Sequence, residues 1–193
     1  MKVPVFLLLI FLLINRIAVA QKIDTDIRYS TTSADDNTIC YVPGNKLLID
    51  DFKGEPIANS AAIAITSSGV SFKAGFRKVG SQAVLTITVF CNFNKSSSWM
   101  KEHGKNNYVL SHEQHHFDIT YLSTLAFLQK LRQTDFTVDN YREKLNAVYT
   151  KAMQKMEELQ HQYDGETHNG QAKEEQLAWN RKIEEQLQEV TVK

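Results

Sequence analysis

From about Thr38 to Asn94 the chain alternates between apolar and polar positions with a period near two. Val70, Phe72, Ala74 and Phe76 alternate with Ser71, Lys73, Gly75 and Arg77, and Ala83, Leu85, Ile87, Val89 and Cys91 with Val84, Thr86, Thr88 and Phe90. Successive side chains on a strand point to opposite faces, so each run predicts a strand with one buried face. Ser67-Ser68-Gly69 and Gly80-Ser81 supply turn chemistry between the runs. The simplest pairing is an antiparallel meander led by a strand around Ala61 to Thr66. Asp50 to Pro56, polar and carrying Gly54, predicts a loop.

Beyond Ser96-Ser97-Ser98-Trp99 the period lengthens towards 3.6. One helix is predicted from about Tyr108 to Arg132, with Phe117, Tyr121, Leu125 and Leu128 along its stripe. A second begins near Asp139 as N-cap and turns Leu145, Val148, Ala152, Met156 and Leu159 inward. The short link between them predicts an antiparallel helical hairpin. Tyr163 to Gly170 reads as a turn-rich break. A charged last helix from about Gln171 to Glu189 follows, anchored by Leu177, Trp179, Ile183 and Leu187. Strands about 38–94 followed by helices about 108–190 predict an α+β class.

The first twenty residues stand apart from this pattern. Lys2 precedes an apolar run from Val3 to Ile14, and Ala18-Val19-Ala20 offers small residues for cleavage before Gln21. These are the parts of a signal peptide, and the run is short for a bilayer span of about 20 residues. Residues 1–20 are therefore expected to be removed, giving an exported protein, periplasmic or secreted, without stable membrane insertion. The remaining 21–193, about 170 residues, suit a single domain. Lys plus Arg and Asp plus Glu number 22 each. That balance argues against a nucleic-acid partner. It leaves a peptide or protein of the cell envelope as the expected partner, and the oligomeric state open. Cys40 and Cys91 either pair as a disulfide, as an exported chain permits, or lie buried as small apolar residues.

The chemistry concentrates in Ser111-His112-Glu113-Gln114-His115-His116-Phe117, which contains H-E-x-x-H within the first long helix. Residues four apart share a helix face, so His112 and His116 can aim ring nitrogens at one point. Two imidazoles suit Zn2+, which tolerates an open position for water. Glu113 projects beside that point, where a carboxylate serves as general base towards the zinc-bound water acting as nucleophile. His115 lies about 100° round the wheel and is expected to pack or support rather than ligate. A catalytic zinc normally has three protein ligands. The third is sought in Tyr163 to Gly170: His168 first, then Asp164 or Glu166. Asp164 has a second possible task, accepting a ligand's spare N–H. Tyr163 is a candidate to support the ligating residues or to contact the transition state.

The joint occurrence of Asp51-Phe52-Lys53-Gly54 with Pro56, Ser98-Trp99, HEQHHFDI from His112, YDGETHNG from Tyr163, and Gln176 with Trp179 resembles a bacterial secreted family described as predicted zinc-dependent proteases of unknown function. One departure is Leu48-Ile49-Asp50, where such proteins often carry tryptophan. The resemblance implies ligand roles for His112 and His116, the base role for Glu113, and His168 as the further ligand. The expected function is an exported zinc-dependent hydrolase, a metallopeptidase. The alternative is a non-catalytic envelope binding or scaffold protein with a structural zinc site.

Overall fold

The computed structural model describes residues 21–33 and 35–191, so the predicted signal peptide lies outside the described residues. Its frame is a long antiparallel hairpin, β4 (Ser68–Val79) and β5 (Gln82–Asn94), following β1 (Asp24–Tyr29), β2 (Thr38–Cys40) and β3 (Ala64–Ile65). Gly80 makes its tight turn at φ +58°, a conformation that costs a residue with a side chain. On β5 the predicted alternation is realised along the strand, with Ala83, Leu85, Ile87, Val89, Cys91 and Phe93 all buried. On β4 it holds only at the base: Val70 is buried and Phe72 half-buried, whereas Ala74 and Phe76 are exposed where the strand leaves the packed layer.

Central strand β5 pairs with β4 on one edge. Its other edge is shared end to end by β1, which runs parallel to it, and by antiparallel β2. The alternation misses β1 because Asp24 to Tyr29 offers only Ile27 and Tyr29 to a core. The predicted leading strand of the meander exists as β3 but does not join this sheet. It pairs instead with β6 (Trp99–Met100) in a separate two-stranded ribbon. Buried Ser98 explains the diversion, because its hydroxyl accepts from Ser67 N–H and donates to the Asn94 carbonyl, pulling residues 64–67 onto the segment after β5.

Cys40 and Cys91 are free and buried. Cys40 stands opposite Asn92 in the register, so it shares that residue's face of the sheet while Cys91 points to the other. The disulfide alternative therefore fails, and the apolar one holds.

Helices α1 (Asn107–Arg132), α2 (Tyr141–Thr167) and α3 (Lys173–Thr191) complete the chain and the α+β class. The Asn106 side chain caps α1 by accepting from Tyr108 and Val109 N–H groups, satisfying two donors left free by the first turn. Asn140, not Asp139, stands at the start of α2. Phe127, Leu128, Leu131 and Leu145 meet Leu85, Ile87 and Val89 in the main core. Burying each such side chain contributes about 1.5–3 kcal/mol. A second cluster joins Tyr41, Leu47 and Phe93 to Phe117 and Tyr121, and a third joins α1, α2 and α3 through Ile119, Tyr163, Trp179 and Ile183. Leu177, expected as an anchor of α3, is exposed. The inward row is Gln176, Trp179 and Ile183, and Leu177 lies about 100° away from Gln176. No helix among the described residues is long and apolar enough to cross a membrane.

Candidate metal centre

The predicted break after α2 begins later than its composition suggests. Helix α2 continues to Thr167, and the turn is confined to a left-handed run at His168 (φ +49°), Asn169 (φ +54°) and Gly170 (φ +79°). Gln160, Tyr163, Asp164 and Thr167, spaced as i, i+3, i+4 and i+7, consequently share the face of α2 that looks at α1.

Asp164 is the residue this register delivers to the histidines. Its Oδ1 lies 3.3 Å from His112 Nε2 and 3.0 Å from His116 Nε2, and the two ring nitrogens are 3.3 Å apart. Among the described residues these three form the group able to hold a metal ion. His168, expected as the third ligand, is not in it. As the C-cap of α2 its side chain is exposed, while Asp164 one turn earlier faces the imidazoles.

The far side of each ring shows that the near side is an acceptor. His112 Nδ1 meets Gln176 Oε1 at 2.9 Å, and His116 Nδ1 meets Gln160 Oε1 at 2.6 Å. An amide oxygen only accepts, so both Nδ1 atoms donate and both Nε2 atoms carry lone pairs towards Asp164. Asp164 Oδ1 is accordingly buried without a hydrogen-bond partner, and so is Glu113 Oε2. Two imidazole lone pairs and a carboxylate oxygen converging in a buried pocket repel one another unless a cation joins them, so the donor set fits a divalent metal.

Where no metal ion lies between these donors, a proton on an imidazole takes the cation's place. Burial pushes the Asp164 carboxyl up, yet the two imidazoles against it outweigh burial and hold it well below the usual carboxylate range. Burial pushes His116 down, but the Asp164 and Glu113 carboxylates raise it overall. Protons and a metal ion therefore compete for the same negatively charged pocket.

Tyr163 is fully buried beneath the site rather than facing it. Its ring stacks on His112 at 4.8 Å and 20° and meets His116 edge-on at 4.9 Å. Its hydroxyl donates to the His112 carbonyl at 3.3 Å and accepts from Gln176 Nε2 at 2.6 Å. It supports the histidines and makes no surface of the cavity, which removes the transition-state contact considered for it. His115 is buried on the adjoining side of α1, where its ring meets Tyr163 edge-on at 6.4 Å and Nδ1 lies 3.0 Å from Asp118 Oδ2, in keeping with a supporting role.

Beside the three donors opens a cavity of about 570 Å³, with His112, Glu113 and His116 on its floor. The segment from Ala61 to Thr66 forms one wall, and Met153, Met156 and Glu157 of α2 form another. Gln160 and Gln176 also meet the two histidines; the first belongs to no motif, and the second enters only through the resemblance, without a role. Gln160 could have been found from its helical spacing to Asp164, but nothing in the sequence places Gln176 against His112.

Residues 98–171 match the model of a family described as a bacterial protein of unknown function (DUF922). This stretch holds His112, Glu113, His116, Gln160 and Asp164 and ends before Gln176. It is shorter than the resemblance read from Asp51 onward, and the family description assigns no activity. No curated protein and no solved structure matches the chain.

Proposed function

We propose that the protein is an exported zinc metallopeptidase, with His112, His116 and Asp164 as ligands and Glu113 as general base. The observation that carries this reading is the unpartnered, buried Glu113 Oε2 in the same cavity as three converging metal donors. Two imidazoles and one carboxylate suit zinc, and three protein ligands leave a coordination position open, as in catalytic rather than structural sites. Zinc held there acts as a Lewis acid and lowers the pKa of a water molecule from about 15.7 towards 7.

The chain's own groups supply the rest. Glu113 takes the proton from the attacking water and passes it to the leaving amine. Its burial, with the Thr66 hydroxyl donating to its main-chain carbonyl at 3.1 Å, ties this turn of α1 to the cavity wall. A cavity of this size and largely apolar lining takes in a stretch of polypeptide. The signal-like pattern of residues 1–20 directs such an enzyme to substrates of the cell envelope, in the periplasm or outside the cell.

Purified protein is expected to carry about one zinc per chain. Glu113→Gln should retain the zinc while peptide hydrolysis falls about 10²–10⁴-fold. Turnover by that variant at the wild-type rate overturns the general base. Zinc bound with no exchangeable water and no hydrolysis by wild type supports the structural-site alternative instead.

A further inference from the structure

Helix α3 lies beyond the family-matched residues, yet it reaches the centre. We infer that Gln176 of α3 and Gln160 of α2 are positioning residues for the zinc ligands, so that the C-terminal helix is an integral part of the metal site. The inference rests on the zinc reading and deepens it.

Each glutamine is fixed through its amide nitrogen. Gln176 is buried, and its amide nitrogen donates to the Tyr163 hydroxyl at 2.6 Å and to Asn180 Oδ1 at 2.7 Å. The amide cannot turn over without giving up both bonds, so Oε1 is the atom left to face His112 Nδ1. Gln160 repeats the device on the other ring: its nitrogen donates to the His116 carbonyl at 2.9 Å and to Thr120 Oγ1 at 3.1 Å, presenting Oε1 to His116 Nδ1. Each amide thereby selects the tautomer whose Nε2 lone pair faces Asp164. Partners of this kind orient a metal-bound histidine, and their removal typically costs about 10–100-fold in metal affinity.

Gly170 adds a second restraint on the same ring. A Cβ built there would stand 3.2 Å from His112 Nδ1 and 3.7 Å from Gln176 Oε1, so the turn leading into α3 presses its backbone against this hydrogen bond. The Tyr108 hydroxyl, on the same face of α1 one turn before His112, donates to the Gly170 carbonyl at 2.5 Å and closes the ring of contacts.

The test uses the full mature chain with Zn2+ affinity read by chelator competition and ligand geometry by the visible spectrum of the Co2+-substituted protein. Gln176→Met keeps the side-chain volume and removes the acceptor. It should weaken Zn2+ binding about 10–100-fold and alter the Co2+ spectrum. Gln176→Glu, which restores an acceptor for Nδ1–H, should return affinity towards wild type. Leu177→Ser, next to it but exposed, should leave both readouts unchanged. Wild-type affinity and spectrum in a folded Gln176→Met overturn the inference, as does failure of Gln176→Glu to recover affinity. Should Gln176→Met unfold α3, Gln160→Met carries the same test at His116, with the same outcomes deciding it. Absence of Zn2+ binding by wild type would overturn the metal reading itself, a result distinct from wild-type binding that the variants leave intact.

Discussion

Helix α1 buries polar side chains on two sides, and the two are treated differently. On one, Gln114, His115 and Asp118 form a closed network. Asp118 Oδ1 accepts from the Tyr41 hydroxyl at 2.7 Å and from Gln114 Nε2 at 2.8 Å, and Oδ2 faces His115 Nδ1 at 3.0 Å and Lys46 Nζ at 3.6 Å. Gln114 Oε1 in turn accepts from Leu47 N–H at 2.7 Å. On the other face, Glu113 Oε2 and the Asp164 Oδ1 that meets His112 and His116 have no donor. The Asp164 side chain is partly exposed where that of Asp118 is fully buried, yet its Oδ1 and Glu113 Oε2 are buried atoms, so atomic burial alone does not separate the two roles. Satisfaction does: the closed network fastens residues 41–47 to α1, and the open one keeps its capacity for something the chain does not contain.

That contrast can be broken at either end. The largest effect belongs to Asp164→Ala, which should abolish stoichiometric Zn2+ binding measured by metal analysis after dialysis, while the fold persists. Retention of a full zinc complement would return His168 to consideration. Next comes Asp118→Ala, which strands the buried Tyr41, Gln114 and His115 groups and should cost about 3 kcal/mol in denaturant unfolding with zinc binding retained. If zinc is lost instead, the two faces are one unit.

The smallest effect is the response of the closed network to acid. Burial raises the Asp118 carboxyl, but His115, Lys46, Tyr41 and Gln114 together outweigh it and hold the group below its ordinary 3.8. A depressed carboxylate stabilises the fold at pH values above its unfolded pKa, and that stability is lost as pH falls from 3.8 towards the folded value. The apoprotein should therefore lose stability in this window by urea titration, and Asp118→Asn should show a shallower loss.

The sequence made the α+β order, the β4–β5 hairpin and the three helices legible because each repeats a strong period over many residues. The pairing of β1 and of β3 was not, since β1 offers only Ile27 and Tyr29 to a core, and β3, though apolar, is two residues long and is redirected by the Ser98 hydroxyl. At the site, His112, Glu113 and His116 follow from spacing within one helix. The third ligand depended on where α2 ends. Gly165, Thr167, Asn169 and Gly170 gave Tyr163 to Gly170 the composition of a loop, yet helical hydrogen bonding extends through Thr167 and moves Asp164, not His168, onto the inward face. Gln176 depended on how α3 docks, which no local pattern encodes.

Two of the glycine turns differ in how much change they will accept. At the Gly80 tip nothing lies within 4 Å of where a Cβ would be, so a tag or a longer linker inserted there projects freely from the hairpin. At Gly170 even one added methyl group meets an imidazole. For anyone grafting a reporter onto this scaffold, the hairpin tip is the door and the α2–α3 corner is a wall.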